Sequence, residues 1–220
     1  MLFRSIEAFE EPLTGMMRLR DMKTRVRFSR VVAALAWPKG QHPGAVVAMA
    51  EDIQADPVDQ VHLLRLVDYA EHADVERLLE LAAGVAPLAG DRQGRSAVSS
   101  WVGNPWHPFA KRLRKFNDRL TAERRPRLNL RPAPGVGAWQ LVADWAPYYD
   151  ARTVGRTALL LGRRDLIAQV EDAGRDIRRP LDDFPAVAAL FWAIAHCDER
   201  KVRSPQKVAR SGSADDVAGY

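Results

Sequence analysis

Two short apolar runs separated by a turn-rich loop constrain the fold of this chain more than any other feature. The first run covers residues 31–37, VVAALAW, and the second covers residues 45–50, AVVAMA. The loop between them contains Gly40, Pro43 and Gly44, residue types that favour turns. Two apolar runs of this length joined by Gly and Pro predict a β-hairpin at the centre of a sheet.

The rest of the chain predicts strands and helices that would extend and cover this hairpin. A third strand is expected at 61–69, antiparallel to the second, and Asp74 is a suitable N-cap for a helix at 75–83. Three antiparallel strands followed by alternating helices and strands predict an α/β fold with a mixed sheet. The further predicted elements are a strand at 97–102, a helix at 108–120, a strand at 128–131, a helix at 138–149, a strand or loop at 157–161, and helices at 165–173 and 185–198.

The same patterns divide the chain into one domain with two flanking segments. Residues 1–30 mix methionines with arginines and predict an N-terminal arm or a short helix. Residues 31–198 carry the predicted elements and form the expected domain. Residues 199–220 lack apolar periodicity and are predicted to be a disordered basic tail.

Composition narrows the class of protein. The chain has 220 residues, 47% of them hydrophobic, which suits one sizeable globular domain. It contains no apolar run of about 18–20 residues and no signal-peptide pattern, so no membrane partner is expected. The single cysteine, Cys197, permits no internal disulfide and no C-x-x-C metal site. We therefore expect a cytoplasmic protein.

Positive charge is concentrated in and after the helix predicted at 108–120. The net charge is +5, and the apolar residues of this helix share one face while basic residues occupy the others. These cations could line a track for nucleic-acid phosphates, with Trp106 and His107 beside it, or form an ordinary solvated helix face. The candidate nucleic-acid-binding residues are Lys111, Arg112, Arg114, Lys115, Arg119, Arg124, Arg125 and Arg127.

Three short segments suggest a family. The first strand ends ALAWP (34–38), the fourth ends WVGNP (101–105), and the last helix contains AALFWAI (188–194). Over about residues 30–198, the chain resembles the nuclease domain of phage terminase large subunits, which has a ribonuclease H-like fold. The resemblance implies a mixed five-stranded sheet flanked by helices. In that family, three acids at such positions bind two divalent metals that activate water to cleave DNA.

The resemblance also implies that the metal-binding acids are missing here. Trp37, Asn104 and Ala188 stand at the three positions. Tryptophan and alanine cannot ligate a hard cation, and asparagine is a weak neutral ligand. We therefore predict a terminase-nuclease-like domain with no metal cofactor, which binds DNA, or phage packaging or assembly proteins, without efficient hydrolysis.

Two alternatives remain open at the level of sequence. An active nuclease that depends on Mg²⁺ or Mn²⁺ could use the adjacent acids Glu51 and Asp52, with Asp198 from the last helix. Alternatively, the fold could serve only as a scaffold in a structural or assembly protein that binds other proteins.

Overall fold

The computed structural model describes residues 6–12, 15, 17–52, 62–90, 95–133, 150–154, 157–160, 163–175 and 180–203. Within these residues, nine strands form one sheet in which β1, β2, β3, β4, β5, β9 and β8 are successive neighbours. The other two strands continue the sheet from β3, because β6 pairs with β3 and β7 pairs with β6. The strands are β1 (Ile6–Glu10), β2 (Met17–Asp21), β3 (Arg27–Ala36), β4 (Gly44–Asp52), β5 (His62–His72), β6 (Val98–Gly103), β7 (Leu130–Pro132), β8 (Asp150–Val154) and β9 (Thr157–Leu160).

The central five strands have the ribonuclease H-like arrangement. Their order is β5, β4, β3, β6 and β7, with antiparallel pairs on the β5 side of β3 and parallel pairs on the β7 side. The predicted hairpin is β3 and β4, in which Val31 lies opposite Ala50 and Ala36 lies opposite Ala45. The predicted fold class, a mixed α/β sheet flanked by helices, is therefore confirmed.

Four strands extend this sheet beyond the predicted five. An arm or short helix was expected within residues 1–30, but β1 and β2 pair there as an antiparallel hairpin. Glu7 lies opposite Arg20 in that hairpin, and their side chains form an ion pair of 2.8 Å across the strands. At the other edge, the segment predicted as a strand or a loop forms a strand, β9, which pairs in parallel with β5. Strand β8 lies beside β9 and is antiparallel to it.

The helices agree closely with the predicted positions. Asp74 caps the first helix by accepting a hydrogen bond of 2.9 Å from the Arg77 backbone N–H. The last helix runs to Arg203, so the first residues of the predicted tail, 199–203, are helical. Residues 204–220 lie outside the described residues. The helix predicted at 138–149 also lies outside them. The described helices are α1 (Val75–Ala83), α2 (Ala110–Ala122), α3 (Arg164–Arg175) and α4 (Pro185–Arg203), with a 3₁₀ turn at Leu181–Asp183.

The sheet separates two apolar layers. Val31, Ala33 and Leu35 of β3 face the layer that contains α1 and α2. The alternate residues Val32 and Ala34 face the layer that contains α3 and α4. Burial on both faces explains why β3 and β4 are continuously apolar rather than alternating. No helix in the described part of the chain is long and apolar enough to cross a membrane.

Candidate functional site

A cavity opens where the parallel strands β3 and β6 end. Its volume is about 240 Å³. Ligand sites in α/β sheets tend to form in crevices at the carboxyl ends of the strands, and this cavity has that position. The structure brings together three residues that are far apart in the sequence, since Trp37 follows β3, Asn104 follows β6 and Ala188 lies in α4. We call this cavity the strand-end cavity. Its lining includes Trp37, Lys39, Asn104, His107, Asp182, Ala188 and Trp192.

The indole of Trp37 organises one wall of this cavity. Its Nε1 donates a hydrogen bond of 2.9 Å to the backbone carbonyl of Asn104. The ring of His107 stacks on the indole, with centroids 5.7 Å apart, and the ring of Phe109 meets the indole edge-on at 6.1 Å. The turn from Asn104 to Phe109 is therefore attached to Trp37 at both ends.

The residues around the cavity do not fit a two-metal site. Among the described residues in its lining, Asp182 supplies the only carboxylate. The neighbouring Asp183 forms an ion pair of 2.8 Å with Lys39. Divalent cations such as Mg²⁺ and Mn²⁺ prefer carboxylate and other oxygen ligands, which neither an indole nor a methyl group provides. No cluster of three His, Cys, Asp or Glu side chains that could hold a metal occurs in the described part of the chain.

His107 is an aromatic wall of the cavity rather than a cation. Burial lowers its pKa from the usual 6.5, the positive charge of Lys39 lowers the pKa further, and Asp182 partly opposes the shift. The imidazole is therefore neutral near pH 7. A neutral ring suits the stacked contact with Trp37.

A row of exposed cations begins beside this cavity and follows α2. The helix buries Leu113, Phe116 and Leu120 against the sheet, so its basic residues face outward. Arg112 lies over the ring of Phe109, which links the first turn of α2 to the cavity wall. None of the five outward cations forms an ion pair with a residue that the structure describes. We call them the basic surface: Lys111, Arg112, Arg114, Lys115 and Arg119.

The arginines after α2 line a second cavity. Its volume is also about 240 Å³, and its lining includes Arg125, Arg127, Arg131 and Ser99, with no carboxylate among the described residues. Arg125 pairs with Glu123 at 3.3 Å, outside that lining. Arg124 is exposed at the start of this segment. The helix is 13 residues long, so the cations along α2 extend over about 20 Å.

The alternative acids belong to the opposite end of β3. Glu51 accepts a hydrogen bond of 2.9 Å from Arg30 and one of 3.0 Å from Ser29. Arg30 also donates to the carbonyl of Cys197, the residue before Asp198, at 2.9 Å. Glu51 and the backbone that leads to Asp198 therefore lie at one end of the sheet. Asp52 lies beside Glu51 in β4, and the side chains of Asp52 and Asp198 are outside the described part.

Ala36 lies six positions after Arg30 in β3, which places the Glu51 end about 20 Å from the strand-end cavity. The chain thus offers two distinct candidate sites. The Glu51 carboxylate is engaged by a guanidinium, an arrangement that anchors β3 to β4 and to α4. The assignment of Trp37, Asn104 and Ala188 to the family's acid positions, and of Glu51, Asp52 and Asp198 to a metal site, stays a prediction.

Several residues at the strand-end cavity carry no signal in the sequence. Lys39 lies in the hairpin loop, Asp182 lies in the short 3₁₀ turn, and Trp192 lies in α4 among apolar residues. No motif or spacing connects them, and only the packing of α4 against β3 places them together.

The order and direction of the central strands make this a ribonuclease H-like α/β protein. Its structure is similar to the crystal structure of the nuclease domain of the large terminase of bacteriophage SPP1 with bound Mn. That match has 13% sequence identity and a TM-score of 0.42, and covers 77% of this chain and 88% of that chain. No protein-family model and no curated protein matches the sequence.

Proposed function

We propose that this chain is a terminase-nuclease-like domain that binds nucleic acid on the basic surface without efficient hydrolysis. The observation that carries the proposal is the row of exposed cations on α2, which have no ion pair with a described residue and adjoin the strand-end cavity. Cations that are not already neutralised by an acid contribute most to the free energy of binding phosphates, because their binding releases counterions from the nucleic acid.

The lining of the strand-end cavity supports the second half of the proposal. Metal-assisted phosphodiester cleavage requires several oxygen ligands that hold cations beside the scissile bond. The indole of Trp37 and the methyl group of Ala188 line this cavity and supply no oxygen ligand to it. The proposal therefore includes no metal cofactor. A cytoplasmic location belongs to the same proposal, supported by a single cysteine that permits no internal disulfide.

The test is the salt dependence of DNA binding, measured by fluorescence anisotropy with a labelled oligonucleotide. The logarithm of the binding constant should fall linearly with the logarithm of salt concentration. The double variant Lys111→Gln/Lys115→Gln should weaken binding and reduce the magnitude of that slope by about 2, since each lysine that touches a phosphate accounts for roughly 1.

A matched control removes the same charge from another helix. Arg164 and Arg175 of α3 are both exposed, and the variant Arg164→Gln/Arg175→Gln should leave the slope within about 0.5 of the wild type if binding is confined to the basic surface. Equal losses of affinity in the two double variants would show that only net charge matters, and would refute the assignment to α2. Absence of DNA binding at low salt would reject the proposal and favour a packaging or assembly protein that binds other proteins.

One observation favours the active nuclease as a second candidate. Arg30 joins Glu51 to Cys197 of α4, so the fold brings the segments that carry all three alternative acids to one end of the sheet. This candidate predicts cleavage of DNA in Mg²⁺ or Mn²⁺ and its loss in the variant Glu51→Ala/Asp52→Ala. Retention of intact DNA by the wild type in both metals, under conditions where it binds, would exclude efficient hydrolysis.

A further inference from the structure

Trp106 is the most exposed large apolar side chain in the described part of the chain. Its exposed fraction is 78%, compared with 65% for Met17 and 44% for Met22. Trp101, five residues earlier, is buried. Leaving an indole in water forgoes the hydrophobic stabilisation that its burial would give, so its position calls for a physical explanation.

The turn that carries Trp106 is held in place by its neighbours. The side-chain Oδ1 of Asn104 accepts a hydrogen bond of 3.0 Å from the Trp106 backbone N–H. The carbonyl of Asn104 is bound by Trp37, and the ring of His107 stacks on the same indole. Trp106 therefore projects from a turn whose residues on both sides are fixed. The indole is presented to solvent with little backbone freedom to lose on binding.

Two cations follow Trp106 closely in the chain. It lies four residues before the first residue of α2, and Lys111 and Arg112 follow in the first turn of that helix. An exposed aromatic face next to a row of cations is the combination by which proteins bind single-stranded nucleic acid, since the cations contact phosphates and the ring stacks on an unpaired base. In a duplex, the faces of the bases are covered by their neighbours in the stack and are not available to an indole.

We propose that Trp106 is a stacking platform for an unpaired base, and that the basic surface therefore binds single-stranded nucleic acid in preference to duplex. This inference rests on the proposed function and names the substrate class of the same surface. The base stacks on the exposed face of the indole, and the phosphates that follow it contact the cations of α2. Because stacking uses the face of a base, it makes no choice of sequence.

The test compares oligo-dT with a blunt DNA duplex, both labelled, for the full chain and two variants of Trp106. Trp106→Ala should weaken binding of oligo-dT by about 5- to 100-fold, which is the range found when one stacking ring is removed. The same variant should change the affinity for duplex by less than about twofold. Trp106→Phe keeps an aromatic face and should retain most of the affinity for oligo-dT. The control Met17→Ala removes an exposed apolar side chain from β2 and should change neither affinity.

A spectroscopic measurement accompanies the binding curves. Oligo-dT should quench part of the tryptophan fluorescence of the wild type, and this part should disappear in Trp106→Phe. Trp106→Phe should still bind, so the loss of quenching reports the position of the base rather than dissociation of the complex.

The outcomes separate this inference from the proposed function. If Trp106→Ala binds oligo-dT as tightly as the wild type while Lys111→Gln/Lys115→Gln does not, the stacking platform is refuted and the basic surface is retained. Equal weakening of single-stranded and duplex binding in Trp106→Ala would also refute stacking. If the wild type binds neither nucleic acid, the proposed function fails and this inference fails with it.

Discussion

Replacement of Trp37 by phenylalanine tests the arrangement of the strand-end cavity directly. The indole N–H donates to the carbonyl of Asn104 at 2.9 Å, and a phenyl ring has no donor to replace it. The carbonyl would keep only a long hydrogen bond of 3.5 Å from the His107 backbone N–H. The smaller ring would also give up much of the stacking on His107, whose centroid lies 5.7 Å from that of the indole.

These two effects set the expected magnitude. A typical hydrogen bond contributes about 0.5–1.5 kcal/mol to stability, and an aromatic pair contributes about 0.5–1.5 kcal/mol beyond its buried area. Trp37→Phe should therefore lower the free energy of unfolding by about 1–3 kcal/mol. For a chain of this size, each kcal/mol corresponds to about 2–4 °C in the melting temperature. Urea unfolding followed by far-ultraviolet circular dichroism measures the change.

Trp192→Phe is the matched control. Trp192 lines the same cavity, and its indole forms no hydrogen bond within the described part of the chain. The same change of ring should therefore cost less than about 1 kcal/mol there, because only buried area is reduced. Equal destabilisation at the two positions, or a change below about 0.5 kcal/mol for Trp37→Phe, would refute the hydrogen-bonded arrangement. A double-mutant cycle of Trp37→Phe with His107→Ala should give a coupling energy of about 0.5–1.5 kcal/mol.

Two further predictions concern the backbone and the ionisation near this cavity. Gly103→Ala should destabilise the fold by about 1–3 kcal/mol in urea unfolding, because a Cβ there would lie 2.6 Å from the Leu35 carbonyl oxygen. Gly84→Ala, whose Cβ would meet carbonyl oxygens at 3.6 Å, is the control and should cost less than about 0.5 kcal/mol. Because the pKa of His107 is lowered in the folded protein, its ring binds protons less readily there than in the unfolded chain. The contribution of His107 to stability is therefore present above about pH 6.5, and it is lost as the pH falls through the pKa of the folded protein. An NMR titration of the His107 ring should give a midpoint below pH 6.5, and Lys39→Gln should raise that midpoint. A wild-type midpoint at or above pH 6.5 would contradict the explanation by burial.

The central fold could be predicted because its signals are local. The apolar runs of β3 and β4 specify buried strands, and the loop of Gly and Pro between them specifies the hairpin. The spacing of apolar residues and the Asp74 cap predict α1 with its observed bounds, Val75–Ala83. In contrast, β1 and β2 are short and partly polar, and their stability depends on pairing with each other and with β3. A local pattern does not report such pairing, so an arm or short helix was expected there.

The sequence by itself determined the ribonuclease H-like strand order and the residue types at Trp37, Asn104 and Ala188. The tertiary structure decided that these three residues line one cavity, although Trp37 and Asn104 are 67 positions apart. It also distinguished Trp101 from Trp106, which flank the same turn. Trp101 lies in β6 and is covered by the helical layer, whereas Trp106 lies on the fixed turn beyond the strand and faces solvent. Burial depends on what the rest of the chain places over a side chain, and no local pattern in the sequence contains that information.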